Sequence, residues 1–178
     1  SRVKNLNPNS LIMLCKIYFT LGELENAKKI LHQLTNQFPN NINVMRFKGM
    51  RDLYDGNFDT GWRNYEFRIS SMNNLYPEIP KWNGEELNEK KLIVYNEQGI
   101  GDCIQFSKYL LPLTKYCKNI DFIPNQKLKE IFKNDYNEIN ICDKSDVRIN
   151  KYNYKIPLGS LPKFFFKDIN TYNDNLIF

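Results

Sequence analysis

The segment 95–102, with the sequence YNEQGIGD, limits the possible folds more than any other part of this 178-residue chain. It follows the apolar run 92–94, and a helical pattern of apolar residues begins near Cys103. A strand, a glycine loop and a helix start in this order are typical of a βα unit in a parallel sheet. Gly99 and Gly101 would let the backbone adopt positive φ and let a ligand approach it closely. The helix N-terminus behind them would offer unpaired N–H groups to a negatively charged group.

The same pattern continues downstream. Strands are predicted at 91–95, 119–123, 138–142 and 152–156, with helical patterns at 104–117 and 128–132. Pro112 should kink the first of these helices. This β-α-β-α-β order predicts a Rossmann-like parallel sheet. Ligands bind at the carboxyl ends of such strands, where the loops 95–102 and 157–162 would both lie.

Two nucleotide-binding motifs do not fit this loop. The dinucleotide motif needs a third glycine, but the residue at that position is Ile104. Asp121 lies inside the second strand rather than at its end, where the ribose-binding carboxylate is expected. No Gly-Lys-Ser/Thr follows, so the P-loop pattern also fails.

The first part of the chain carries a helical repeat. Ser10 is a plausible N-cap for a helix with an apolar stripe from Leu11 to Leu21, and Gly22 ends that helix. A second helix follows until Pro39. Gly22 and Gly56 are 56 − 22 = 34 residues apart, and this period is the length of the tetratricopeptide unit.

These residues resemble a tetratricopeptide repeat (TPR) array. The signature positions are filled by Leu11, Leu14, Cys15, Tyr18, Gly22, Ala27, Leu31 and Pro39. The second unit departs from the family with Lys48, Asp52 and Gly61, as expected of the end of an array. Two alternatives stay open for the concave face of these TPR helices: the face binds a peptide or protein, or the helices only support the next domain.

The sequence predicts three parts: TPR-like helices at 1–72, a packed linker at 73–90 and a Rossmann-like domain at 91–178. The linker holds turn residues and aromatic residues, which should pack rather than remain free. Glu66 and Arg68 near the junction are interpreted as part of a solvated helix face rather than as a buried pair. The predicted fold class is α + α/β.

Composition excludes several classes of protein. The four cysteines have no paired spacing, which favours reduced thiols in a cytoplasmic protein and argues against a zinc site. The net charge of +5 is scattered, so nucleic-acid binding is not expected. No apolar run approaches the length of a membrane span. We expect no metal and no cofactor bound by this chain.

A wider resemblance covers essentially the whole chain. It is carried by Gly61-Trp62, Tyr65-Glu66, Arg68, Pro80, Trp82, Gly84-Glu85, the segment 97–102, Ile104-Gln105-Phe106, Tyr109 and 160–162. These residues look like bacterial TPR proteins that continue into a GT-B-type glycosyltransferase, similar in this loop to the heptosyltransferase-like family 9 enzymes.

The resemblance implies a sugar transferase with two Rossmann-like domains and an active site in the cleft between them. The N-terminal domain of such enzymes usually handles the acceptor, and the C-terminal domain binds the nucleotide-sugar donor. This chain resembles the TPR segment plus the acceptor half. We therefore expect it to be a fragment that does not transfer sugar alone, with the donor bound only by the full-length protein.

The resemblance also implies the roles of the site residues. Asp102 matches the base that takes the proton of the acceptor hydroxyl, although an aspartate there could equally only cap the helix. The substrate-binding candidates are Glu97, Gln98, Gly99, Gly101, Gln105 and Ser160. Glu97 and Gln98 could instead fix their own loop, and Ser160 could cap a short helix. The acceptor, a glycan or a protein, is expected at the loop 97–102.

A second hypothesis belongs to another functional class. The chain could be a TPR protein–protein interaction module in which the α/β part is a non-catalytic scaffold. An open pocket above the segment 97–102 would favour the transferase, and a pocket filled by its own side chains would favour the scaffold.

Overall fold

The computed structural model describes residues 7–71, without the side chain of Ser71, and residues 75–166. The chain divides into two compact units between Asn73 and Asn74. We call the described part of the first the helical unit and that of the second the α/β unit. Helices followed by a parallel sheet confirm the predicted α + α/β class. The ends of the predicted domains 1–72 and 91–178 lie outside the described residues.

The helical unit consists of two successive hairpins. Its helices are α1 (Pro8–Thr20), α2 (Leu24–Gln37), α3 (Ile42–Tyr54) and α4 (Phe58–Tyr65), followed by the 3-10 helix Glu66–Ser71. Both hairpins turn at a glycine with left-handed backbone, Gly22 at φ 76° and Gly56 at φ 82°. Residues with side chains rarely adopt this conformation. Because both turns have it, the 34-residue period reappears in the turn geometry.

The helix caps follow the same period. Asn7, not the predicted Ser10, caps α1, because the N–H of Ser10 donates to the Asn7 side chain at 2.9 Å. Pro8 occupies the first helical position, where its missing N–H costs nothing. Asn41, which is 41 − 7 = 34 residues later, caps α3 in the same way through the N–H groups of Asn43 and Val44.

The core of the helical unit contains buried residues from each hairpin. They are Leu11, Cys15, Ala27, Leu34, Val44 and Phe47. At positions equivalent to Cys15 and Ala27 the second hairpin has Gly49 and Gly61. A Cβ at Gly49 would lie 2.6 Å from the backbone nitrogen of Tyr65, and one at Gly61 would lie 2.7 Å from Leu53. The second hairpin therefore has no room for a Cβ at either position.

The expectation that Glu66 and Arg68 lie on a solvated face is wrong. Arg68 is 1% exposed and forms a 2.8 Å ion pair with Glu66. Its guanidinium also stacks on the Tyr65 ring, with 4.6 Å to the ring centroid. The 3-10 geometry after α4 turns this arginine inward, and a helical wheel does not anticipate that rotation.

The α/β unit contains one parallel sheet among the described residues, in the order β3-β2-β1-β4. Its strands are β1 (Lys91–Tyr95), β2 (Asn119–Ile123), β3 (Asn140–Ile141) and β4 (Tyr154–Pro157). Its helices are α5 (Ile100–Ser107), α6 (Leu110–Thr114), α7 (Lys129–Asp135) and α8 (Pro162–Phe165). Short 3-10 helices span Gln126–Leu128, Lys144–Asp146, Ile149–Lys151 and Leu158–Ser160.

Several predicted boundaries in this unit need correction. The helix predicted near 104–117 is two helices that break at Lys108 and Tyr109. The break lies where the ring of Pro112 would meet the carbonyl four residues earlier, that of Lys108. The predicted strand 138–142 is reduced to Asn140–Ile141, and the predicted strand 152–156 is shifted to Tyr154–Pro157.

The segment 75–90 packs on the sheet and covers an edge of it. Residues 80–82 pair with β4, since the N–H of Trp82 donates to the Lys155 carbonyl at 2.9 Å. The ammonium of Lys155, a residue 5% exposed, donates to the carbonyls of Leu75 and Tyr76 at 2.9 and 2.6 Å. An exposed sheet edge can pair with other chains. This segment forms hydrogen bonds with backbone groups at that edge of β4 and covers it.

Candidate functional site

The order of the strands creates a crossover point between β1 and β4. From β1 the chain proceeds through α5 and α6 to β2 on one side, whereas β4 lies on the other side of β1. Ligands of open α/β sheets bind in the crevice at the carboxyl ends of two such strands. At that position the loop 96–99 follows β1, and the 3-10 helix Leu158–Ser160 follows β4.

These two loops touch each other. The N–H of Gly159 donates to the Glu97 carboxylate in a long hydrogen bond of 3.5 Å. Asn96 fixes the first loop, since its own N–H donates to the Ile123 carbonyl and its side-chain amide donates to the Gln98 carbonyl, both at 2.8 Å. Asn96 is not among the residues predicted from the sequence, although an asparagine whose side chain bonds the backbone two residues further on is a known turn signal.

Asp102 lies in the first turn of α5 and holds the end of the loop. The helix begins at Ile100 rather than near the predicted Cys103, so Asp102 is its third residue and not the N-cap. One carboxylate oxygen, Oδ2, accepts the N–H of Gly99 at 3.2 Å. Within the part of the chain that the structure describes, the other oxygen accepts no hydrogen bond. Asp102 is half-buried, so solvent reaches its side chain.

The two loop glycines do not adopt the expected conformation. Gly99 has φ −69° and ψ 178°, which is extended backbone, and Gly101 has no positive φ either. A Cβ at Gly101 would meet nothing within 4 Å, and one at Gly99 would make an ordinary 3.5 Å contact with Asp102. The prediction of positive φ at these glycines is therefore wrong, but the backbone there is uncovered.

The remaining candidates differ in exposure. Gln105 is exposed on α5, next to Ile104, which is 56% exposed. Glu97 and Gln98 are half-buried in the loop. Ser160 is 1% exposed and does not cap the following helix, whose N-cap is Leu161. The structure thus places the segment 97–102 at the start of α5 and Gln105, the sixth residue of that helix, in its second turn, and it leaves Ser160 covered.

A cysteine supports this end of α5 from inside. The Cys103 thiol accepts the N–H of Asn125, just beyond β2, at 3.5 Å. Burial raises the pKa of this thiol, and the nearby carboxylates of Glu97 and Asp102 raise it further while the Asn125 bond opposes them. A buried thiol with a raised pKa is a weak nucleophile at neutral pH, so Cys103 fits a packing role.

A second polar cluster lies within the sheet. The carboxylate of Asp121, a residue 6% exposed, accepts hydrogen bonds from Tyr152 at 2.6 Å and Asn140 at 3.1 Å and pairs with Lys91 at 2.9 Å. Burial alone would raise the pKa of Asp121, but these three partners outweigh it and hold the pKa below its usual value. A buried charge is usually tolerated only when it is paired and hydrogen-bonded, and this cluster provides those partners for Asp121.

The described residues show neither a metal-binding cluster nor a membrane-spanning helix. Among residues 7–71 and 75–166, no three histidine, cysteine, aspartate or glutamate side chains gather in a way that could hold a metal ion. Over the same residues, no helix combines the length and the apolar character that crossing a membrane requires.

Comparisons with known proteins show a partial similarity. The chain is similar to "Protein FlbA" of Caulobacter vibrioides, with 32% identity over 97 residues. The match covers 51% of this chain and 16% of that protein, so the chain spans less than a fifth of the relative's length. No protein-family model matches the sequence, and no solved structure matches the fold.

Proposed function

We propose that the α/β unit is the acceptor half of a GT-B-type sugar transferase and that the acceptor binds at the segment 97–102. The residues of the resemblance point to sugar transfer, and the geometry supports the position of the site. The observation that carries the proposal is the meeting of the loops at Glu97 and Gly159 at the crossover point between β1 and β4. A ligand there would lie against the uncovered backbone of Gly99 and Gly101.

Asp102 is the proposed general base. Its Oδ2 atom is held by the Gly99 N–H, which fixes the carboxylate, and its other oxygen is available to an acceptor hydroxyl. A base must come within about 2.6–3.2 Å of the group whose proton it takes. Glu97, Gln98 and Gln105 are proposed to bond acceptor hydroxyls. Ser160 is buried and has no direct role in this proposal.

The nucleotide-sugar donor would be bound by the remainder of the full-length protein. In an inverting transfer, the base removes the proton of the acceptor hydroxyl while the oxygen of that hydroxyl forms the bond to the sugar carbon. The bond from that carbon to the diphosphate breaks, and the diphosphate leaves with the electron pair. Only the first of these tasks is assigned to residues of this chain.

The test is the full-length protein with Asp102→Asn. The asparagine oxygen still accepts the Gly99 N–H, so the helix start is kept and the base alone is removed. We expect transfer from a panel of radiolabelled nucleotide-sugars to fall by about 10²–10⁴-fold, the usual contribution of a general base. The matched control is Asp135→Asn, at the exposed end of α7, which should leave the rate unchanged.

The outcomes distinguish the two hypotheses that the sequence suggests, the transferase and the interaction module. Equal rates for wild type and Asp102→Asn would remove Asp102 as the base. A full-length protein that neither binds nor hydrolyses any nucleotide-sugar would refute the transferase. The interaction module with a non-catalytic α/β scaffold would then be the better hypothesis.

A further inference from the structure

The helices α5 and α6 share one exposed face, although they break at Lys108 and Tyr109. Both residues keep right-handed helical backbone, with φ −54° and −79°, so the helical periodicity continues across the break. The exposed and half-buried positions 100, 104, 108, 111 and 115 are three or four residues apart, which places them in one row along the helices. We call this row, with Tyr116 beside its end, the outer face; it consists of Ile100, Ile104, Lys108, Leu111, Lys115 and Tyr116.

The outer face is rich in apolar side chains. Ile104, Leu111 and Tyr116 are 56%, 50% and 62% exposed, and Ile100 is 38% exposed. Tyr116 also contacts Phe165, with 5.8 Å between the ring centroids, so the apolar surface extends to α8. The inner side of the same two helices is apolar and buried; its residues include Cys103, Phe106, Leu110 and Leu113. Helices that are apolar on both sides are usually covered on both, which indicates a partner for the outer face.

Positive charge borders the outer face. Lys108, Lys115 and Lys118 lie in a stretch of the chain, residues 103–120, that contains no aspartate or glutamate. The nearest acidic residue before it is Asp102, in the first turn of α5. Lys115 and Lys118 are exposed, and neither forms an ion pair within the described residues. By contrast, both lysines of α7 form ion pairs with carboxylates. Lys115 and Lys118 therefore provide positive charge at this face that no described carboxylate neutralises.

We propose that the outer face binds the surface of an anionic membrane. Ile104 and Leu111 would enter the boundary between the lipid head groups and the acyl chains, and Tyr116 would lie at the level of the head groups, where tyrosine is common. Lys115 and Lys118 would bind lipid phosphates. A face of this kind lies in the membrane interface, parallel to the bilayer, and does not cross it. The proposal is independent of sugar transfer, because it concerns binding to lipid alone.

The arrangement of the outer face favours a membrane over a protein partner. Apolar residues and lysines follow one another along the row, in the order Ile104, Lys108, Leu111, Lys115. A lysine can lay its aliphatic stem along apolar surface and still place its ammonium among phosphates, so such a row suits a boundary between an apolar layer and an anionic one. Two copies of the chain would bring lysines opposite lysines, which opposes association. An acidic protein partner is a separate outcome of the experiment.

The experiment is sedimentation of the chain with vesicles, in which bound protein pellets with the lipid. One set of vesicles contains equal parts of phosphatidylcholine and phosphatidylglycerol, and the other contains phosphatidylcholine alone. Each lysine near an anionic surface strengthens binding by about fivefold. With Lys115 and Lys118 at the surface, we therefore expect the anionic vesicles to be bound at least about tenfold more tightly, and the difference should shrink as salt is added.

Variants with serine test the apolar part of the face. Ile104→Ser and Leu111→Ser should each weaken binding to the anionic vesicles by about fivefold or more, because each removes an apolar side chain from the interface. The matched control is Ile149→Ser. Ile149 is 42% exposed in the 3-10 helix Ile149–Lys151, outside the outer face, and its replacement should change the affinity by less than about twofold.

Variants with glutamine test the charge. Lys115→Gln combined with Lys118→Gln should remove most of the preference for anionic vesicles. The control combines Lys144→Gln with Lys151→Gln, which removes the same charge from two exposed lysines outside the outer face and should preserve the preference.

Insertion into the lipid is measured with tryptophan fluorescence. Leu111→Trp places a tryptophan in the outer face, and vesicles with brominated acyl chains quench a tryptophan that reaches those chains. We expect stronger quenching in Leu111→Trp than in the wild type, whose own Trp62 and Trp82 give the background. Ile149→Trp is the control and should show no increase over the wild type.

Three results would overturn the proposal. Equal affinity for the anionic and the neutral vesicles would mean that lipid charge is not recognised. Equal losses in Ile104→Ser and Ile149→Ser, or no added quenching in Leu111→Trp, would mean that the outer face is not the binding surface. Release of the chain from the anionic vesicles by polyglutamate that binds it more tightly would assign the face to an acidic protein.

Discussion

Replacing Gly49 by alanine tests the close packing of the second helical hairpin. Gly49 lies in α3, and the new Cβ would lie 2.6 Å from the backbone nitrogen of Tyr65 and 2.7 Å from the carbonyl carbon of Asn64. Favourable heavy-atom contacts lie near 3.5–4.0 Å. The backbone of α4 cannot swing aside as a side chain can, so α3 and α4 would have to separate by roughly 1 Å.

The magnitude follows from two opposing effects. Alanine in place of glycine in a helix interior gains about 1 kcal/mol. Overpacking typically costs about 1–3 kcal/mol, and contact with rigid backbone places Gly49→Ala toward the upper limit. We therefore expect the free energy of unfolding to fall by about 1–2 kcal/mol.

The assay is urea unfolding of the whole chain followed by far-ultraviolet circular dichroism, which reports the helices. Gly101→Ala is the control, because it makes the same substitution in a helix at a position where a Cβ meets nothing within 4 Å. That variant should be as stable as wild type or more stable by up to about 1 kcal/mol. If Gly49→Ala is also as stable as wild type, the close approach of α3 and α4 does not exist in solution.

Two further predictions concern buried titratable groups. Tyr152→Phe removes the 2.6 Å bond to Asp121, and because hydrogen bonds to charged groups contribute about 1.5–3 kcal/mol, stability at neutral pH should fall by about that amount. The pKa of Asp121 is lowered in the fold, so its stabilisation is present above the unfolded pKa and is lost as pH falls through the folded pKa. The variant should unfold at higher pH in an acid titration, and an unchanged midpoint would contradict this. Burial raises the pKa of Cys15 and of Cys142 to about 11, so mass spectrometry should find both thiols alkylated by iodoacetamide slowly in the native protein and rapidly in urea; equal rates would refute their burial.

The repeat period was the most informative signal for the helical unit, because it determines positions that recur in three dimensions. Spacing alone locates the turns at Gly22 and Gly56, which are both left-handed. The same spacing relates the caps Asn7 and Asn41, yet the predicted cap was Ser10. Ser10 precedes the apolar stripe, but Pro8 occupies the first helical position and so places the cap at the residue before it.

Buried charges could not be predicted from the sequence, because their partners are distant in the chain or are backbone groups, or because burial depends on packing. Lys155 bonds the backbone carbonyls of Leu75 and Tyr76, about 80 residues earlier, which no side-chain pattern reveals. The partner of Arg68 is only two residues away, but the burial of the pair depends on packing after α4. In both cases tertiary structure decides whether a charge is solvated.

The position of the loop that holds the candidate residues was predictable, but its geometry was not. Strand order and the sequence from Glu97 to Asp102 predicted a loop at the carboxyl end of β1, where the structure has it. The exact helix start was not predictable, since Ile100 and Gly101 have weak helical signals. In the structure Gly99 is the N-cap: its carbonyl accepts the N–H of Cys103 and its own N–H donates to Asp102, which makes Asp102 the third residue of the helix.

Seven of the eight glycines of this chain, all but Gly159, fall into three groups, and the third group is consistent with a ligand at the loop. One group has positive φ and the second has no room for a Cβ, so the fold itself requires glycine at Gly22, Gly56, Gly84, Gly49 and Gly61. Gly99 and Gly101 have neither property. Glycine in a helix costs about 0.5–1 kcal/mol relative to alanine, so Gly101 weakens α5 without relieving any contact within the described chain. The proposed acceptor site would account for this bare backbone, because an acceptor at the crossover point between β1 and β4 would approach the first turn of α5.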